Sequence, residues 1–412
     1  MHPLARTLGI AICYALLAPP AWGFVPVSRW GETASHAETP LGKPATITWS
    51  LLPDGTPLGD GQTSELVGMF DTLFGITTSD TDYEQRAWFP LVSSTFDRWA
   101  ELGGANLVYE SVDDGTTFGS LRGQLGQRGD IRLGGVDMDG PRGTLGTSQY
   151  PQGGDILIDT LGGGYLLDPA DNYLRFRNVL THEIGHALGF GHVYSSDAHF
   201  LMESELDLTI DGPQFDDIRA LHYYYGDHNE RTNNGLGNDT LSAATSLGTL
   251  ASGTRISIGD HATTGLSIEI DETDFVSISN SSDRDFYHFS VEQPGTFDLL
   301  LTPLGESYFQ GTESNSQAET FPIAASNLSF SLYDGQGTRL LTIDEFLHGS
   351  PEQLNDYAVS ESADYYIEVR GTRQSPQLYQ VTLTHHALMV PEPSSLFLVV
   401  LALGMLLRKR NA

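Results

Sequence analysis

The stretch Thr181-His182-Glu183-Ile184-Gly185-His186-Ala187-Leu188-Gly189-Phe190-Gly191-His192 gathers three of the chain's 13 histidines around one glutamate. His182 and His186 are four residues apart, so on a helix they stand one turn apart on the same face. His192 lies six beyond His186, and six steps of about 100° would carry it well away from that face if the helix continued. The pattern therefore demands a helix that stops between them. Gly189 is predicted to stop it, because glycine enters the left-handed conformation that ends helices at little cost. With the chain folded back, three imidazoles can meet at one zinc ion and leave a fourth position for water. Glu183, one helical step from the first ligand, points near that position, where a carboxylate can take and return a proton. Five specified positions make this far more specific than a bare HExxH.

His182, Glu183, His186, Gly189 and His192 resemble the zinc-binding motif of the metzincin metalloproteases, and within that group the bacterial matrixin-type peptidases. The resemblance implies that Met202, ten residues after His192, forms a packing floor beneath the zinc without being a ligand. Asp130-Ile131-Arg132-Leu133-Gly134-Gly135 and Gly154-Asp155-Ile156-Leu157-Ile158-Asp159 are similar to the strands flanking the active-site helix, and Asp211 to Ile218 to the start of the last helix. The implied fold is an α+β catalytic domain, a small twisted mixed sheet with long helices, whose cleft crosses above His182 and His186. Val193 and Met202-Glu203-Ser204 depart from the serine and the Met-Tyr-Pro turn of vertebrate members, and no cysteine switch is present. Asp137, Asp139, Asp155 and Asp159 could hold a structural Ca2+, as in family members, or simply form turns. His199 and Glu203 lie close to the motif in sequence, either as further ligands or as solvated loop residues.

Periodicity organises the rest. Ala45 to Ser50, Leu107 to Tyr109, Asp130 to Leu133 and Asp155 to Asp159 read as strands, and 90–102, 173–188 and 213–225 as helices. Residues 229–240 are polar, rich in Asn and Gly and without apolar periodicity, which reads as a linker between a catalytic domain at 43–228 and a second unit at 241–386. That second unit repeats short alternating runs such as Phe286 to Val291, Phe297 to Leu301, Leu328 to Tyr333, Tyr365 to Val369 and Tyr379 to Leu383, the pattern of an antiparallel, all-β sandwich. Asn238-Asp239-Thr240, Asp283 to Tyr287 and Tyr365 to Val369 resemble the pre-peptidase C-terminal type of domain, with a binding or spacing role.

The two ends carry apolar runs. Residues 1–23, with Cys13 inside Leu8 to Leu17 and a small-x-small pattern at Ala21-Trp22-Gly23, read as a removed secretory signal, followed by a short N-terminal segment at 24–42. At the other end, 389–412 run from Pro391-Glu392-Pro393 through Leu396 to Leu407 into Arg408-Lys409-Arg410. That order resembles the PEP-CTERM sorting signal of Gram-negative bacteria that make extracellular polysaccharide. It implies a short transmembrane helix as a temporary anchor, cut by an exosortase-like processing enzyme, and an association with exopolysaccharide; a permanent anchor is the plainer alternative. A formal charge of −32, from 53 acidic and 21 basic residues, argues against nucleic acid as a partner.

These features converge on an exported, surface or extracellular zinc-dependent endopeptidase that hydrolyses proteins or peptides. The alternative is a surface or biofilm-matrix protein that keeps the same scaffold for binding alone. Retention of Glu183 favours the first, since a scaffold that only binds has no use for a base.

Overall fold

The computed structural model describes residues 23–387, apart from 60, 120–121, 141–142, 162, 264 and 313–316. Residues 1–22, with Cys13 in the expected export signal, and 388–412, with the expected sorting signal, lie outside the described residues. Among the described residues, no helix is long and apolar enough to cross a membrane.

The first unit is built on a five-stranded sheet. Its strands are β1 (Ala45–Leu51), β2 (Ala105–Tyr109), β3 (Ile131–Val136), β4 (Gly146–Ser148) and β5 (Ile156–Asp159), in the order β2-β1-β3-β5-β4. All pairs are parallel except β4 with β5, which leaves β4 as an antiparallel edge. Strand β3 is buried at all six positions, as a parallel strand covered on both faces must be.

Three helices pack on this sheet, α1 (Leu66–Phe74), α2 (Phe89–Leu102) and α3 (Leu174–Leu188), and α4 (Phe215–Tyr225) packs on α2. Helix α2 buries Phe89, Val92, Phe96, Trp99 and Leu102. Leu91 and Ala100, which share the helical spacing, are only half-buried. Phe96 stacks on Trp49 of β1 at 4.1 Å between ring centroids, which seats α2 on the sheet. Trp99 Nε1 donates to the Thr181 carbonyl at 2.9 Å and so ties α2 to α3.

The second unit closes two five-stranded sheets on one apolar cluster. Tyr287, Phe289, Leu332 and Ile367 come from one sheet, and Phe297, Leu299, Tyr379 and Val381 from the other. One correction applies to the expected antiparallel sandwich: its edge strand Thr245–Leu250 runs parallel to Arg284–Val291.

Around the expected linker at 229–240, and at Asp227 just before it, several polar groups are buried. Asp227, Glu230 and Asn238 are buried, and Lys43, from the lead into β1, forms ion pairs with Glu230 at 2.8 Å and with Asp239. Burial works against this ammonium, yet the carboxylates of Glu230 and Asp239 outweigh it and raise its pKa. The polarity of this stretch thus serves side chains that satisfy one another where the two units meet.

The two units share that interface closely. His222 of α4 is fully buried, with Nε2 at 2.7 Å from the Leu102 carbonyl and Nδ1 at 2.9 Å from Ser277 Oγ of the β unit. Arg98 donates to the carbonyls of Glu269 and Glu272, both at 3.0 Å. Tyr308 Oη accepts from Arg219 at 3.0 Å and donates to Asp216. A Tyr308→Phe chain loses both contacts of a buried charged pair, so we expect a stability loss of about 1.5–3 kcal/mol in chemical denaturation. An unchanged denaturation midpoint would contradict this account of the interface.

Candidate active site

Helix α3 delivers the motif residues. It ends at Gly189, whose φ of 113° lies in the left-handed region and whose N–H bonds back to the Gly185 and His186 carbonyls. The chain then turns through Phe190–Gly191, which pair with Val25–Pro26, and brings His192 beneath the helix. The three Nε2 atoms converge: 3.1 Å for His182 to His186, 3.2 Å for His182 to His192 and 3.0 Å for His186 to His192.

These spacings suit one metal ion. Zinc–nitrogen bonds of about 2.0–2.1 Å in a tetrahedron place ligand nitrogens ~3.3 Å apart. The opposite ring nitrogens are fixed as well, with His182 Nδ1 at 2.6 Å from the Leu201 carbonyl and His186 Nδ1 at 2.7 Å from the Phe190 carbonyl. A carbonyl accepts only from N–H, so each contact sets the tautomer that leaves Nε2 with its lone pair. Burial, reinforced by the neighbouring His186, pushes His182 down to about 3, which keeps the ring neutral and able to ligate.

Glu183 is buried beside the triad. Its Oε2 accepts from Ser148 Oγ of β4 at 2.6 Å, and the same hydroxyl lies 2.9 Å from the Glu183 carbonyl. Burial pushes the Glu183 carboxyl up to about 7, with the Ser148 hydrogen bond acting in the opposite direction. Gly146 makes room for it: a Cβ there would lie 2.8 Å from Glu183 Cγ. Neither Ser148 nor Gly146 was found from sequence, since β4 is three residues long and shows no periodicity.

Met202 is buried, and its sulfur packs against Gly185 so closely that a Cβ on that glycine would come within 2.3 Å. The turn around it is held by Asp217 of α4, whose carboxylate accepts from Leu201 N at 2.8 Å, Met202 N at 3.2 Å and Gln214 N at 2.8 Å. Burial pushes Asp217 up to about 7, opposed by those backbone donors. Asp217→Ala would leave three buried N–H groups without an acceptor, so we expect about 3–5 kcal/mol of lost stability and weakened zinc retention. Denaturant titration together with metal analysis of the variant checks this, and a variant as stable as its parent would refute it.

The remaining candidates lie elsewhere. Asp155 Oδ2 accepts from Gly119 N at 2.8 Å, Asp159 Oδ1 from Met138 N at 3.0 Å and Asp139 Oδ1 from Thr144 N at 2.7 Å, while Asp137 is exposed. Among the described residues, the acidic and histidine groups with three ligand atoms in mutual reach are the triad and Glu230-Asp239-Asp283, so no three of these four aspartates bring their side-chain oxygens together. The second group, missed from sequence, has the Lys43 ammonium among its carboxylates. His199 pairs with Asp207 at 2.6 Å, and Glu203 Oε1 accepts from Ser195 N at 2.8 Å, so neither joins the triad.

A helix carrying two imidazoles, a third returned by a glycine break, and a buried carboxylate alongside form a set that can hold one metal ion next to a base. In agreement, residues 71–226 match the family model described as Matrixin. Metalloendoproteinase 1-MMP of Arabidopsis thaliana is 31% identical over 143 residues, covering 32% of this chain and 36% of that protein. Metalloendoproteinase 2-MMP of the same plant is 29% identical over 147 residues, with the same coverage. The chain thus spans about a third of the length of these curated relatives. Among solved structures, the pre-peptidase C-terminal domain of a Bacillus anthracis collagenase is a neighbour at 10% identity and a TM-score of 0.21, covering 34% of this chain and 96% of that one.

Proposed function

We propose that the chain is a zinc-dependent endopeptidase of the matrixin type, acting on proteins or peptides outside the cell. The observation that carries this reading is the convergence of three imidazole Nε2 atoms beside the buried Glu183 carboxylate. His182, His186 and His192 would hold the ion. When bound, zinc supplies Lewis acidity, polarising the scissile carbonyl and lowering the pKa of water to about 7.

Glu183 takes a proton from the attacking water on its carboxylate oxygen and later delivers it to the nitrogen of the departing amine. Ser148 holds that carboxylate in place by its hydrogen bond to Oε2, and the Gly146 backbone leaves the space it occupies. Met202 and Gly185 fit closely enough to keep α3 and the returning loop in register.

We further propose export through the N-terminal apolar run and transient anchoring by the C-terminal one, released near Pro391 to Pro393 by an exosortase-like enzyme. The support is the order of residues at both ends. The purified chain is expected to bind zinc near one equivalent and to degrade casein or gelatin, with cleavage stopped by a chelator and restored by zinc. Stoichiometric zinc without cleavage of any protein would favour a non-catalytic binding scaffold. Failure to bind zinc would end both readings.

A further inference from the structure

The loop between the third imidazole and Met202 is gripped by the β unit. Tyr194–Ser195 pair antiparallel with Tyr308–Gly311, which pair in turn with Ala318–Thr320, so two residues of the first unit complete a three-stranded sheet of the second. Alternate residues share a face, and one face of this sheet is closed: Ser195, Tyr308, Gln310 and Thr320 are all buried. Phe200 packs edge-on against Tyr308 at 5.0 Å between ring centroids. Around Phe309 side chains add to the seam. Ser195 Oγ donates to the Phe309 carbonyl at 2.7 Å, and the Phe309 N–H donates to Asp197 Oδ1 at 2.9 Å. Ser195 passes this hold inward, since its N–H donates to Glu203 Oε1 at 2.8 Å and its Oγ accepts from Ala198 N at 3.1 Å.

This loop governs two of the three imidazoles. It begins at His192 itself, and near its end the Leu201 carbonyl accepts from His182 Nδ1 at 2.6 Å. Its ends are closed on each other by Val193 N to the Met202 carbonyl at 3.0 Å, and Asp217 holds Leu201 and Met202. Its middle, residues 194–200, takes the strand pairing, the two Phe309 bonds and the Phe200 contact from the β unit. A working metal site holds its ligands to within about 0.5 Å. Released at Phe309, the middle of the loop can swing and carry His192 and the Leu201 carbonyl out of that range.

We propose that Ser195 and Asp197 are positioning residues through which the β unit fixes the metal centre, so that the second unit is a working part of the site. The inference rests on the reading of the three histidines as a zinc site. It is tested on the full, zinc-loaded chain by the rate at which an excess of chelator removes the ion. Ser195→Ala and Asp197→Ala are each expected to speed zinc release by on the order of tenfold. Asp197→Asn, which keeps an acceptor oxygen for Phe309 N, should release zinc at the parental rate. Arg98→Met is the control for plain loosening of the two units: it removes the bonds to the Glu269 and Glu272 carbonyls, so the denaturation midpoint should fall while zinc release stays parental.

Parental release rates in both Ser195→Ala and Asp197→Ala would overturn the proposal. An equal acceleration in Arg98→Met would overturn it too, because any weakening between the units would then suffice. If the parent chain takes up no zinc, the zinc-site reading fails, and the seam is judged by amide hydrogen exchange over residues 193–202. Faster exchange there in Ser195→Ala than in Arg98→Met supports the hold of the β unit on the loop, and equal exchange overturns it.

Discussion

Glu183→Gln is expected to lower kcat/KM for a protein substrate by on the order of a thousandfold while leaving zinc content and thermal stability near those of the parent. The amide preserves side-chain volume and can still accept from Ser148 Oγ through its carbonyl oxygen, so the surroundings of α3 need not move. What it lacks is the basicity to take a proton from water. The His182, His186 and His192 nitrogens are untouched by the change, which is why metal analysis and activity should separate. Retention of more than a tenth of parental activity would remove Glu183 from the role of base. Loss of zinc together with activity would show that the substitution damaged the site and would leave the role to be judged from Glu183→Asp.

Gly189→Ala should be the most damaging single-atom addition in the first unit. At φ 113° a side chain is strained, and its Cβ would fall 1.7 Å from the Ser28 carbonyl oxygen, a backbone atom that cannot rotate away. Strain and overlap together should cost about 3–5 kcal/mol. Zinc affinity should fall with it, because His192 reaches the triad only through this turn. Gly75, which caps α1 at φ 68° and has open space for 4 Å around the position a Cβ would take, is the control. Gly75→Ala should cost only about 1–2 kcal/mol, with zinc binding intact. Thermal melts of both variants with and without zinc decide the matter, and equal losses would mean that backbone strain alone, without the Ser28 contact, explains Gly189.

How much of this was legible in the sequence depended on range. The histidine motif and its glycine break are local, and helix periodicity alone placed His182, Glu183 and His186 on one buried helix with His192 beyond its end. Strands such as Ala45–Leu51 and Arg284–Val291 were legible because alternation or continuous burial marks them. Helix α1 was passed over, since its N-cap Glu65 makes no side-chain cap to announce its start, although Gly75 ends it in the left-handed conformation. Ser148 could not be singled out, because its meaning comes from a partner 35 residues away. Around 229–240 composition reports only polarity, whereas burial of Asp227 and Glu230 depends on Lys43 and Ser277 from distant parts of the chain.

The last turn of α3 has a consequence for how the centre comes into being. Its carbonyls at Ala187, Leu188 and Gly189 are taken by Trp30 Nε1 at 2.8 Å, Tyr225 Oη at 2.8 Å and Val27 N at 3.0 Å, the first from 157 residues away. A nascent chain that has made only the motif therefore owns two adjacent imidazoles on a frayed helix and little to hold the third. Contacts of such long range form slowly, because chain entropy must be surrendered before they are rewarded. Capture of a metal by all three histidines would thus report that the 24–42 segment and α4 have both docked on the end of α3, making a bound ion a register of completed folding.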